Sequence, residues 1–83
     1  MLYLEDVKNI LGDILSLGEA RHALTEQSPL LGAIPELDSM AVVNLLTALE
    51  EHFGFSVDDD EIDASTFASV GSLRAFVAYK LTA

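Results

Sequence analysis

The chain has no cysteine and no tryptophan, only two prolines, and four Lys and Arg against fourteen Asp and Glu in 83 residues. Each shortage removes a class of function. Without thiols there is no disulfide framework, no cysteine nucleophile and no thiolate metal site. At a formal net charge of −10, the chain lacks the Lys and Arg that replace counterions on nucleic acid. The same deficit argues against docking on an anionic membrane surface. No apolar run approaches the roughly 18 residues of a membrane span. The start, Met1-Leu2-Tyr3-Leu4-Glu5-Asp6, lacks the basic region of a signal peptide. A small, acidic, cytoplasmic chain is expected, with no nucleic-acid partner and no membrane insertion.

What the chain does have is apolar matter: 51% of its residues are hydrophobic, too many for disorder. Its length allows one domain, 1–83, because independent domains run from about 50 to 250 residues. A core of that size leaves only a small net stability, and helical bundles with local contacts are the economical solution. A cleft with several rigidly held groups is hard to build at this scale. Size alone therefore favours a module on which other proteins act.

Apolar periodicity gives an all-α reading. Leu4, Val7, Ile10, Leu11, Ile14 and Leu15 recur at three- and four-residue spacing, so a first helix is expected from Leu4 to Leu17, with Gly18 as its stop. Gly12 inside it is costly and marks a close neighbour. From Glu19 to Leu37 the period is lost, around Pro29, Gly32 and Pro35, and a loop this long is often functional. An extra helical turn fits near Ala20 to Leu24. The strongest helix runs from Ser39 to Phe53, N-capped by Asp38 and ended by Gly54. Acidic residues from Asp58 to Asp63 favour a short third helix over Asp59 to Ile62. A last helix starts near Ser69 or Val70 and reaches about Leu81. Expected in the core are Leu30, Leu31, Val43, Leu46, Leu49, Phe53, Val57, Ile62, Phe67, Leu73 and Phe76.

Conventional catalytic and metal patterns fail. Ser39 and His52 share a helix but stand thirteen residues apart, roughly 20 Å at 1.5 Å per residue, so they form no nucleophile–base pair. His22 has no evident third member. No G-x-S-x-G elbow, P-loop or dinucleotide fingerprint occurs. Read as a calcium loop from Asp58, the chain puts Ile62 where an oxygen ligand belongs and Asp63 where Gly belongs. No metal site is expected. Asp38-Ser39 is different. A phosphate ester on a hydroxyl at the first position of a helix sits near unpaired N–H groups and the positive dipole end. The dipeptide alone is equally a plain helix start.

Its setting is more specific. Leu37-Asp38-Ser39-Met40, followed by Val43, Leu45 and Ala48-Leu49-Glu50-Glu51-His52-Phe53-Gly54, resembles the acyl carrier protein family over nearly the whole chain. That resemblance implies a four-helix bundle with a long loop after helix 1 and a short third helix. It implies 4′-phosphopantetheine on Ser39, acyl groups held as thioesters on its thiol, and a carrier with no catalysis of its own. Asp38 would cap the helix within the motif. Implied partners are a phosphopantetheinyl transferase and an acyl-activating ligase, acyltransferase or synthase, serving a monomer. Met40, Ala41, Val43, Asn44 and Thr47, with Ile62 on the third helix, are the expected docking residues.

Two departures from the family pattern stand out. Glu36 and Pro35 occupy positions where the family usually has Gly, and the early face of the serine helix lacks its usual acids. Partners are therefore expected to rely on shape and apolar contact. Asp-Ser-Met also occurs in D-alanyl carriers, and the string from Pro29 to Met40 looks more like carriers of exosortase and exopolysaccharide loci. An aminoacyl or peptidyl carrier, or an unmodified helical interaction module, are the rival readings. Nine of the fourteen acids lie between Glu36 and Asp63 with no Lys or Arg among them, a local field for steering basic partners.

Overall fold

The first apolar stripe folds as α1, Leu4–Ile14, in the computed structural model, which describes residues 3–34 and 37–82. Val7, Ile10 and Leu11 are its buried face. The helix stops before Leu17 because Ser16 turns left-handed, at φ 56°, and Leu17 N–H donates back to the Gly12 carbonyl at 2.9 Å. That six-to-one hydrogen bond satisfies a terminal carbonyl two residues earlier than a stop at Gly18 would. Gly18 instead opens a 3-10 helix, Gly18–Ala23, which contains most of the expected extra turn. Arg21 in that helix folds back over Gly12, where an added Cβ would stand 3.0 Å from Arg21 Cβ and collide with the guanidinium. The guanidinium donates to Gly18 O at 3.1 Å and to Asp13 Oδ1 at 2.9 Å.

The long loop is then strapped to the start of the last helix. Gly71 N–H donates to Glu26 O and Val70 N–H to Ser28 O, each at 2.9 Å. Leu30 N–H donates to Ala68 O and Leu31 N–H to Phe67 O, each at 3.0 Å. The strap lies so close that a Cβ on Gly71 would be 2.8 Å from Glu26 O. Glu26 also pairs with Arg74 at 2.5 Å, with both side chains mostly covered. Leu30 is fully buried beneath this ladder.

The serine-bearing helix, α2, spans Ser39–Phe53. Leu37, Ala41, Leu45 and Leu49 recur every four residues and are all buried, which sets its rotation about its axis. Its far end is held by Phe53, whose ring meets Tyr3 edge-on at 5.7 Å and stacks with Phe55 at 6.0 Å. Glu50 turns inward to accept Val57 N–H at 2.7 Å, bracing the chain after α2.

The short third helix is present as two 3-10 turns, Asp59–Glu61 and Ala64–Phe67. Two caps account for the division. Asp58 N–H donates to Glu61 Oε1 at 2.9 Å, closing the first turn. Asp63 Oδ1 then accepts from Ser65 N–H at 2.9 Å and from Thr66 N–H at 3.3 Å, starting the second. A cap residue has extended backbone, so Asp63 interrupts any continuous helix. The last helix, α3, runs Val70–Thr82. Ser69 begins it as expected: its N–H donates to Ser72 Oγ at 3.0 Å, and its own Oγ accepts Ser72 N–H at 3.1 Å. Lys80 reaches back to Glu61 at 2.6 Å.

α1 packs against both α2 and α3, around a core in which no polar or charged residue is buried among the described residues. Leu30, Leu49, Phe67 and Leu73 are buried as expected, while Leu46, Phe53 and Ile62 pack half-covered on that core. Four expected core residues are not in it: Leu31 is 45% exposed and Val43 57%, while Val57 and Phe76 are half-buried outside the cluster. Leu31 follows an anchor that takes the inward position, and Val43 lies off the 37–41–45–49 line.

Two outcomes follow. Leu30→Ala should lower unfolding free energy by about 2–5 kcal/mol, the usual cost of emptying a leucine site, whereas Leu31→Ala should change it by less than about 0.5 kcal/mol; urea denaturation of the two variants measures the contrast. The second outcome concerns acid. The Lys80 ammonium and Asp58 N–H hold the Glu61 carboxyl below its usual pKa, and Ser65, through its hydroxyl and N–H, does the same for Asp63. A carboxylate whose pKa is lowered by folding stabilises the fold fully above the ordinary value and loses that contribution as pH falls through the lowered one. Stability should thus decline as pH drops below about 4. Asp63→Asn should flatten that decline in a series of unfolding curves.

Candidate functional site at the start of the serine helix

Leu37 is the last buried residue before α2, and its N–H donates to Ile34 O at 3.0 Å. Asp38 follows in an extended conformation, and its Oδ1 accepts from Ala41 N–H at 2.8 Å. Its carbonyl takes Val42 N–H at 2.9 Å, the first turn of the helix. Ser39 comes next, as the first helical residue, and it is exposed. A buried residue, a cap and an exposed hydroxyl thus follow one another in three positions. The cap engages Asp38 with the backbone, which leaves the serine on the outer rim of a fifteen-residue helix.

From Ser39 one face of α2 stays in solvent. Met40 is 68% exposed, and Val43, Asn44 and Thr47 are exposed beside it at helical spacing. The Thr47 hydroxyl donates to Val43 O at 3.1 Å, folding its polar end onto the helix. This face carries no charge until Glu51. Ile62 is half-buried against the core and offers only its edge.

Ala41 is a correction. Expected as an exposed docking position, it is only 9% exposed. The rotation set by Leu37, Leu45 and Leu49 turns it inward, and its small side chain lets α2 sit close. Pro35 and Glu36, the departures expected to reshape the entry loop, lie outside the described residues. The two histidines stand apart from this arrangement. His52, in the last turn of α2, lies 3.8 Å from Asp6, and His22 is 3.7 Å from Glu19. Among the described residues, no group of three His, Asp or Glu side chains is placed to hold a metal ion. No helix there is long and apolar enough to cross a membrane.

One feature escaped the sequence reading: a groove between the two 3-10 turns and α3, lined in part by Phe76 and Tyr79. Phe76, expected in the core, stands on this groove beside the buried Val70, Leu73 and Val77.

An exposed hydroxyl thus stands at a capped helix start, on a bundle whose core buries no polar or charged residue among the described residues. The model of the phosphopantetheine attachment site matches residues 5–79, and the chain belongs to that family, the family of acyl carrier proteins. The solution NMR structure of a holo acyl carrier protein from Nitrosomonas europaea is 66% identical to it, with all of both chains covered and a TM-score of 0.93. No curated protein is significantly similar. As its family implies, the chain is a carrier and not an enzyme, and its cofactor is covalently attached 4′-phosphopantetheine. The residues fit that group: the Ser39 side is open, and the neighbouring Asp38 carboxylate is tied to Ala41 N–H.

Removing the cap tests how the site is built. Asp38→Ala should cost about 1 kcal/mol, within the 0.5–2 kcal/mol span of lost N-caps. In amide hydrogen exchange the first turn, at Ala41 and Val42, should lose protection while Leu45 and Leu49 keep theirs.

Proposed function

We propose that Ser39 carries the 4′-phosphopantetheine and that the chain, as a single domain over 1–83, shuttles acyl groups between cytoplasmic enzymes of a specialised pathway. The observation that carries this reading is the exposed Ser39 hydroxyl at the first position of α2, presented by the Asp38 cap. When bound, the group supplies a thiol on a flexible arm, which holds acyl cargo as a thioester. The protein's own residues do three things. Leu37, Ala41 and Leu45 fix where the helix starts. Asp38 keeps the first turn closed, and the N-terminal end of α2 favours the negative charge of a phosphodiester.

Partner choice follows from the exposed face. Met40, Val43, Asn44 and Thr47 form an apolar and neutral centre. Acids stand at its ends, Asp38 at one and Glu51 with the 58–63 run beyond the other. Long-range attraction to a basic enzyme surface therefore comes from the ends, and the fit at the centre comes from apolar contact. A phosphopantetheinyl transferase must meet this face first. An acyl-activating ligase and an acyltransferase or synthase meet it afterwards. This pattern supports partners other than enzymes that grip an acidic helix, which is the basis for placing the chain in a specialised pathway. A likeness to a holo acyl carrier protein favours an acyl cargo over an aminoacyl one, and a modified chain over an unmodified interaction module.

The test is intact mass after co-expression with a broad-specificity phosphopantetheinyl transferase. The native chain should gain the mass of the arm and Ser39→Ala should gain nothing. An unmodified native chain, or an increment that survives Ser39→Ala, overturns the assignment.

A further inference from the structure

Sulfur is scarce in this chain: two methionines and no cysteine. Met1 lies outside the described residues, and Met40 directly follows Ser39 in the first turn of α2. Met40 is 68% exposed and belongs neither to the buried core nor to the side chains packed against it. Its thioether is therefore open to small solutes, and changing it removes no support from the bundle. The chain has no tryptophan either, so the polypeptide offers an oxidant no thiol and no indole in its place.

The position gives that sulfur a consequence. α2 exposes two large apolar side chains, Met40 and Val43, and none of its residues between Ser39 and Leu49 is charged. Of the two, only Met40 carries a lone pair that a mild oxidant attacks. An unbranched thioether also adapts its shape to differing apolar partners, which suits a face that several enzymes meet in turn.

Resting on the reading of Ser39 as attachment site and of this face as docking centre, we propose that Met40 is a redox-sensitive modification site. Oxidation of its thioether to the sulfoxide by a peroxide weakens docking and holds the carrier out of its cycle until a reductase restores it. In the forward step the Met40 sulfur attacks one peroxide oxygen, the S–O bond forms and the O–O bond breaks. Sulfur loses two electrons to the peroxide. With hydrogen peroxide, the leaving hydroxide takes the proton of the transferred oxygen and departs as water. The return step oxidises two thiols to a disulfide and releases the oxygen as water, with one reductase for each sulfoxide epimer. The sulfoxide oxygen is a hydrogen-bond acceptor, and pressing it into an apolar contact strips its hydration without supplying a donor.

The test uses the full-length chain before attachment of the arm, so that the arm's thiol plays no part. The native chain and Met40→Leu are treated with hydrogen peroxide, freed of it, and offered a broad-specificity phosphopantetheinyl transferase with coenzyme A. Intact mass follows loading, and peptide mass places the added oxygen. The oxidised native chain should load about tenfold more slowly than the untreated one, the cost of one unpaired acceptor in an apolar contact. Its urea midpoint should not move, and reductases for both epimers should restore the rate. Met40→Leu should load at the same rate before and after peroxide, whatever that rate is; it keeps Met1 and so isolates Met40. Five results overturn the inference while leaving Ser39 in place: a Met40 that stays unoxidised at a dose that oxidises free methionine, loading indifferent to the sulfoxide, an equal fall in treated Met40→Leu, no recovery with the reductases, or a lowered urea midpoint. An untreated chain that never gains the arm overturns the Ser39 reading and this inference with it.

Discussion

Everything about the serine end of this carrier depends on the ladder of four backbone hydrogen bonds between Glu26–Leu31 and Phe67–Gly71. A loop of this length without secondary structure would leave its amides to water and its end free to wander. The ladder gives those amides protein partners and buries Leu30 under the crossing. From that fixed point only a few residues remain before Leu37 enters the core, so the start of α2 inherits the position of the strap. Glu26 ties the same segment twice, through its carbonyl to Gly71 and through its carboxylate to Arg74.

The rotation of α2 then divides its residues between structure and function. Ala41, Leu45 and Leu49 face inward, in line with Leu37 just before the helix, which leaves Ser39, Met40, Val43, Asn44 and Thr47 outside. The acids are divided in a similar way. Glu50, Asp58, Glu61 and Asp63 each close a turn or brace a loop through a hydrogen bond. A run that looks from composition like a uniform negative surface is thus partly internal scaffolding.

Much of the site was legible because it is local. Asp38 as cap and Ser39 as first residue follow from a side-chain oxygen three residues ahead of a free N–H, a relation that needs nothing beyond five consecutive positions. Gly12 was legible as a close approach, though not the identity of its neighbour, because Arg21 arrives from a separate helix. Ala41 as a docking residue and Val43 as a core residue fail for one reason: in a helix with apolar residues at most positions, hydrophobicity does not say which line faces the core. The third helix was legible in place but not in form, since Asp63 reads equally as one more acid in a first turn or as a new cap.

The all-α class, the order of the helices, the capped serine and the absence of thiol chemistry in the polypeptide all follow from spacing and composition within short windows. Where the loop is strapped, which face of α2 meets solvent, and the groove that α3 forms with the 3-10 turns depend on the assembled fold. Those properties arise where segments distant in sequence meet. Backbone groups and leucines offer many equivalent pairings, and packing of the whole chain selects one.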